Sequence, residues 1–88
     1  MLHLIGFAPH HHERLERISA LVSADDEVVL LDDGLAFARD TATLAALEKA
    51  LGVPVYCCSG AAQPGNHIDY AALVRLTEKH QASLSWYE

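Results

Sequence analysis

The sequence predicts an α/β fold: a small three-layer domain with a mostly parallel five-stranded sheet and helices on both faces. Three observations carry this expectation. Leu2 to Phe7, Val28 to Leu31 and Val53 to Cys57 are short, nearly continuous apolar blocks, the pattern of strands covered on both faces. Between them lie segments whose apolar residues recur three and four apart. The two patterns alternate along the chain, and strands that alternate with helices pair in parallel. With 88 residues and no repeat, linker or low-complexity stretch, residues 1–88 form a single domain. A domain of this size buries only about 60–65% of its unfolded surface.

Each element has a local reason. Leu2 to Phe7 is strand one, stopped by Pro9. His12 to Val22 places Leu15, Ile18, Leu21 and Val22 at helical spacing with charges between them, an amphipathic helix. Ser23-Ala24-Asp25-Asp26 turns out of it into strand two, Val28 to Leu31. Gly34 opens a helical stretch that breaks near Asp40-Thr41 and resumes from Thr43 to Leu51, with Gly52 as its terminating residue. Val53 to Cys57 is strand three, with Pro54 near its start, where a missing N–H is tolerated. Ser59 to His67, with Gly60, Pro64 and Gly65, is a loop with room for one helical turn. A short strand four ends at Asp69-Tyr70. Ala71 to His80 is a helix with Leu73, Val74, Leu76 and Thr77 inward, and Leu84 to Trp86 is the last strand.

Composition bounds the function. Net charge is −6 and the six basic residues form no stripe, so direct tRNA or other nucleic-acid binding by this chain alone is not expected. No stretch approaches the roughly 20 apolar residues of a membrane span, and the opening residues lack the basic start and cleavage pattern of a secretion signal. The two cysteines are neighbours and cannot staple distant parts of a secreted fold. A cytoplasmic protein is expected. The hydrophobic share of 51% is high for a small domain, which points either to alanine content or to an apolar surface awaiting a partner.

In an open parallel sheet, ligands gather beyond the carboxyl ends of the strands. Asp32-Asp33-Gly34 and Cys57-Cys58-Ser59-Gly60 fall there. Paired carboxylates suit a divalent cation, but an aspartate at such a junction more often caps the next helix while glycine frees the turn. A phosphoacceptor aspartate would need a lysine after a later strand, and none is present. Cys57 reads as a buried apolar residue. Cys58, at the strand exit, is either the same or a reactive thiol, if a helix begins in the following loop and lowers its pKa. No cofactor is expected, and no zinc spacing accompanies the cysteines. His10-His11-His12 point in different directions and form a solvated helix entrance. His80, ending its helix, faces the negative end of the helix dipole. Trp86 and Tyr87 either cover one end of the core or anchor a neighbouring subunit.

The order Met1-Leu2-His3, Leu30-Leu31-Asp32-Asp33-Gly34, Asp69-Tyr70, Leu76-Thr77-Glu78-Lys79-His80 and Ser85-Trp86 resembles the TusB/DsrH family of sulfur-relay subunits over essentially the whole chain. The resemblance implies a DsrEFH-like domain in a cytoplasmic complex with paralogous TusC/TusD-like (DsrF/DsrE-like) subunits. Such a complex takes persulfide sulfur from a small carrier protein and passes it on through a cysteine of the TusD-type subunit. The sulfur ends as 2-thiouridine at the tRNA wobble position, or, in the Dsr branch, enters dissimilatory sulfur oxidation. In the sister TusD/DsrE subunit the accepting cysteine follows a Gly-Val pair after four residues, and Gly52-Val53 to Cys58 has that spacing. Cys58 is therefore a candidate secondary sulfur carrier. Some DsrH chains carry a cysteine in the first helix, where this chain has Ile18-Ser19-Ala20, and this favours the tRNA branch. The implied role is a structural or weakly catalytic subunit of a sulfurtransferase complex. The alternatives are a standalone homo-oligomeric sulfurtransferase using Cys58, and a small binding module with Asp32 and Asp33 as a cation site.

Overall fold

The computed structural model describes residues 1–39, 41–58 and 67–87. Strands β1 (Leu2–Ile5), β2 (Glu27–Leu30), β3 (Val55–Cys58), β4 (His67–Ile68) and β5 (Ser83–Trp86) form one sheet in the order β4-β3-β2-β1-β5. Every neighbouring pair is parallel. Helices α1 (His12–Leu21), α2 (Thr41–Leu51) and α3 (Tyr70–Lys79) connect β1 to β2, β2 to β3 and β4 to β5, and a 3-10 helix (Asp32–Ala38) precedes α2. The chain steps outward from β1 to β4, then returns through α3 to place β5 on the free side of β1. The strand order thus reverses between β1 and β5.

Alternation along the strands divides the core between the two faces of the sheet. Ile5, Val28, Leu30, Val55 and Cys57 pack against Ile18 of α1, Phe37, and Leu47 and Leu51 of α2. Leu2, Val29 and Cys58 face the other way, towards Leu73 and Leu76 of α3. Three layers result, with α1 and α2 on one side and α3 alone on the other. The second face is the thinner one, and no residue of α3 is fully buried.

The helix ends follow local chemistry. Asp69 caps α3, its Oδ1 accepting the Ala72 N–H at 2.8 Å. The Asp69-Tyr70 pair thus starts the helix and does not close β4, which stops at Ile68. Gly52 ends α2 with φ +70°, donating its N–H to Glu48 O at 2.8 Å, the left-handed terminator expected of it. Three assignments of inward faces shift. Leu21 and Val74 are 59% and 54% exposed, and Thr77 is exposed as well, its hydroxyl donating to Val74 O. In α3 the stripe that meets the sheet is Leu73 and Leu76, so Val74 falls on its rim. Leu21 is the last residue of α1, where the helix has already cleared the core. The predicted loop at Ser59 and its glycines lies outside the described residues. Among the described residues, no helix is long and apolar enough to cross a membrane.

Candidate functional site at the carboxyl edge of the sheet

The strand reversal puts the ends of β1, β2 and β5 side by side, the place where open parallel sheets hold ligands. Backbone contacts knit the first two ends together. Leu31 N–H donates to Ile5 O at 3.0 Å, and Gly34 N–H donates to Leu31 O at 2.9 Å. A Cβ on Gly34 would collide with the Ile5 carbonyl. The glycine is therefore needed for close approach of two backbones. The left-handed residue of this turn is Asp32, at φ 51°, a conformation that costs a non-glycine residue about 1 kcal/mol. This corrects the expectation that Gly34 supplies the conformational freedom.

Asp32 does not act as the expected cap. Leu31 stands at the N-cap of the 3-10 helix and no side chain caps it, while the Asp32 carboxylate accepts the Tyr87 hydroxyl at 2.9 Å. The Tyr87 ring lies over Gly6, where a methyl group would meet it. Burial, with the Asp32 carboxylate beside it, pushes the Tyr87 phenol above its ordinary value and keeps it a donor. Beside this junction an open groove of about 730 Å³ is lined in part by Ala8, His10, Asp32, Asp33 and Arg39. No group of three or more His, Cys, Asp or Glu residues fit to hold a metal exists among the described residues.

His10 and His12 are exposed, as a solvated helix entrance requires. His11 is different: it packs edge-on against Phe7 at 6.1 Å, and its Nδ1 accepts from Arg14 Nη1 at 3.0 Å. The His10 and His11 rings nonetheless lie against each other, centroids 4.1 Å apart, which corrects the expectation that the three histidines point in different directions.

Both thiols are interior. Cys57 is 0% exposed among the aliphatic residues of the α1–α2 face, and burial together with the Glu48 carboxylate pushes its thiol up. Cys58, the candidate secondary sulfur carrier, is 2% exposed and packs with Leu2 and Val29 under α3. The helical turn that was to activate it lies outside the described residues. Alkylation of either cysteine in the folded protein is expected to be at least tenfold slower than in urea, because the thiolate must first reach solvent. Rapid labelling of native Cys58, read by mass spectrometry, would contradict this packing.

Two buried polar clusters escaped the sequence reading. His3, 1% exposed on β1, bridges two partners. The Trp86 indole N–H donates to His3 Nδ1 at 3.2 Å, and an indole only donates, so the His3 proton sits on Nε2. Nε2 in turn donates to Asp26 Oδ2 at 3.0 Å. Asp26 also accepts from the Met1 ammonium at 2.8 Å and the Ser23 N–H at 3.1 Å. Burial alone would raise its pKa, but these three donors outweigh burial and hold the carboxyl far below the ordinary range. Trp86 thus covers the core end, while Tyr87 stays 46% exposed. The available signal was a histidine inside a strand buried on both faces, a place that demands hydrogen-bond partners.

The second cluster ties α3 to the sheet. Glu27 on β2 accepts from Lys79 Nζ at 2.7 Å and pairs with His80 Nε2 at 2.9 Å. The Lys79 contact, followed by those of His80 and Tyr56, overcomes burial and lowers the Glu27 pKa. Asp26 and Glu27 both bind protons less tightly when folded, so their stabilisation is complete above about pH 4.5, the ordinary glutamate value. It is lost as the pH falls through their folded values. Urea midpoints should therefore decline steadily from pH 5 towards pH 2, and a flat profile there would show that neither contact stabilises the fold.

Together the fold and this edge define a small all-parallel α/β domain with interior thiols and a polar groove at its strand reversal. A scan against protein-family models and a search among curated proteins each found no match.

Proposed function

We propose that the chain is a subunit of a cytoplasmic sulfur-relay complex of the TusBCD/DsrEFH type. It serves there as a structural partner of TusC/TusD-like (DsrF/DsrE-like) subunits. The complex draws persulfide sulfur from a small carrier protein and passes it towards 2-thiouridine at the tRNA wobble position. The observation that carries the structural role is the burial of both cysteines, at 0% and 2% exposure. A sulfur acceptor must present its thiolate to an incoming persulfide, so in this reading the sister subunit holds the accepting cysteine. The residues behind the resemblance agree with a scaffold role. His3 and Trp86 bond to each other, Gly34 admits β2's turn against β1, Asp69 caps α3, and His80 fastens α3 to β2.

Co-expression with the sister subunits followed by sedimentation tests the assembly, and persistence as a monomer in their presence would end the proposal. Mass spectrometry of the complex after a persulfide donor tests the division of labour. The added sulfur is expected on the sister subunit, with little on Cys58. A dominant persulfide on Cys58, abolished by Cys58→Ser, would instead favour the standalone sulfurtransferase.

A further inference from the structure

The exposed edge of the sheet offers a strand that is open along its whole length. Ala82 O and Trp86 O accept from Leu2 N–H and Gly6 N–H, so the even-numbered residues of β5 turn their backbone groups towards β1. By the parity of a strand, Ser83 and Ser85 turn theirs outward, and the Tyr87 N–H, opposite Trp86 O across a planar trans peptide, points the same way. Ser83, Leu84, Ser85 and Tyr87 are all exposed. Edges are commonly protected by charge, proline or extreme shortness. The opposite edge, β4, has two residues, whereas β5 has four and no charged residue or proline from Gln81 to Tyr87.

We infer that β5 pairs with β5 of a second copy of this chain, antiparallel about a two-fold axis at Ser85, to form a ten-stranded sheet. This inference rests on β5 alone and is independent of sulfur relay. Three features select a second copy. A two-fold at Ser85 sets Ser85 opposite Ser85 and Ser83 opposite Tyr87, the residue after β5, and every one of these residues has an outward N–H. That register forms up to about six hydrogen bonds. It also sets Leu84, 39% exposed, directly against Trp86 of the other copy, in the close pairing that joins aliphatic to aromatic side chains. Finally, two molecules of net charge −6 repel, and the uncharged strip from Gln81 to Tyr87 lets them meet without like charges in contact. The interface is isologous and closed, so it stops at a dimer.

Sedimentation equilibrium of the full chain should show a monomer–dimer equilibrium at micromolar to millimolar concentration, and a strict monomer throughout overturns the inference. Cysteine substitution reads the register. In Ser85→Cys the paired Cα atoms stand about 5.5 Å apart, within the about 4.4–6.8 Å span of a disulfide. Mild oxidation should then yield a covalent dimer. Ser83→Cys places its two copies about four residues apart, roughly 13 Å, and should not cross-link. Equal cross-linking of the two variants refutes the register. Ser85→Pro removes an N–H that the monomer does not use, so the circular dichroism spectrum should be retained while dimerisation weakens by roughly tenfold or more. An unchanged dimer in Ser85→Pro refutes strand pairing, and if that variant misfolds, the cysteine pair still decides.

Discussion

Replacing Gly34 with alanine is expected to destabilise the domain by about 3 kcal/mol, the upper end of what overpacking costs. The new methyl would point at the Ile5 carbonyl, and backbone on both sides leaves nothing flexible to move. Relief requires separating the ends of β1 and β2, which threatens the Leu31 N–H to Ile5 O bond. Gly6→Ala is the matched control. Its methyl meets the half-exposed Tyr87 ring, which can swing away at the loss of one surface hydrogen bond to Asp32. That variant should cost about 1 kcal/mol or less. Urea titrations of the two give the comparison, and a Gly34→Ala protein with a wild-type midpoint would show that the turn is loosely held.

His3→Ala should be comparably severe, at about 3–5 kcal/mol. The change empties a buried ring's volume and takes the imidazole from the Asp26 carboxylate and the acceptor from the Trp86 indole at once. Trp86→Phe keeps most of the apolar contact and forfeits only the indole N–H, so it should cost about 1 kcal/mol. The ordering His3→Ala far above Trp86→Phe tests whether the imidazole is the keystone between β1, β2 and β5. A His3→Ala cost below about 1 kcal/mol would mean that water or a shifted side chain replaces it. The same deletion should flatten the acid dependence of stability, since the His3 bond is one of the contacts that depress the Asp26 pKa.

Much of the architecture follows from local pattern. The apolar blocks at Val28 to Leu31 and Val53 to Cys57 are continuous because a parallel strand is covered on both faces, and they coincide to within two residues with β2 and β3. Gly52 could be assigned as a helix terminator because a left-handed end favours glycine, and its φ of +70° agrees. Such features depend on a few neighbouring residues, which a sequence displays directly. Asp69 falls at the expected end of strand four, yet it caps α3, because an aspartate before a helical pattern can serve either role and only the backbone geometry decides.

The polar contacts depended on which strands lie side by side. His3 and Trp86 are separated by 83 positions, and Glu27 and His80 by 53, yet each pair is bonded. Nothing near any of these residues in the chain names its partner. The return of α3, which sets β5 beside β1, brings Trp86 to His3 and Tyr87 to Asp32. The same placement covers one side of β5 and leaves the other open. Local spacing determined the helices, strands and turns, because those arise from interactions within a few residues. Only the tertiary fold decided that Cys58 lies inside the protein alongside Cys57 and that the conformational strain falls on Asp32. Burial and backbone proximity are set by the packing of distant segments, and no short stretch of sequence contains both sides of such a contact.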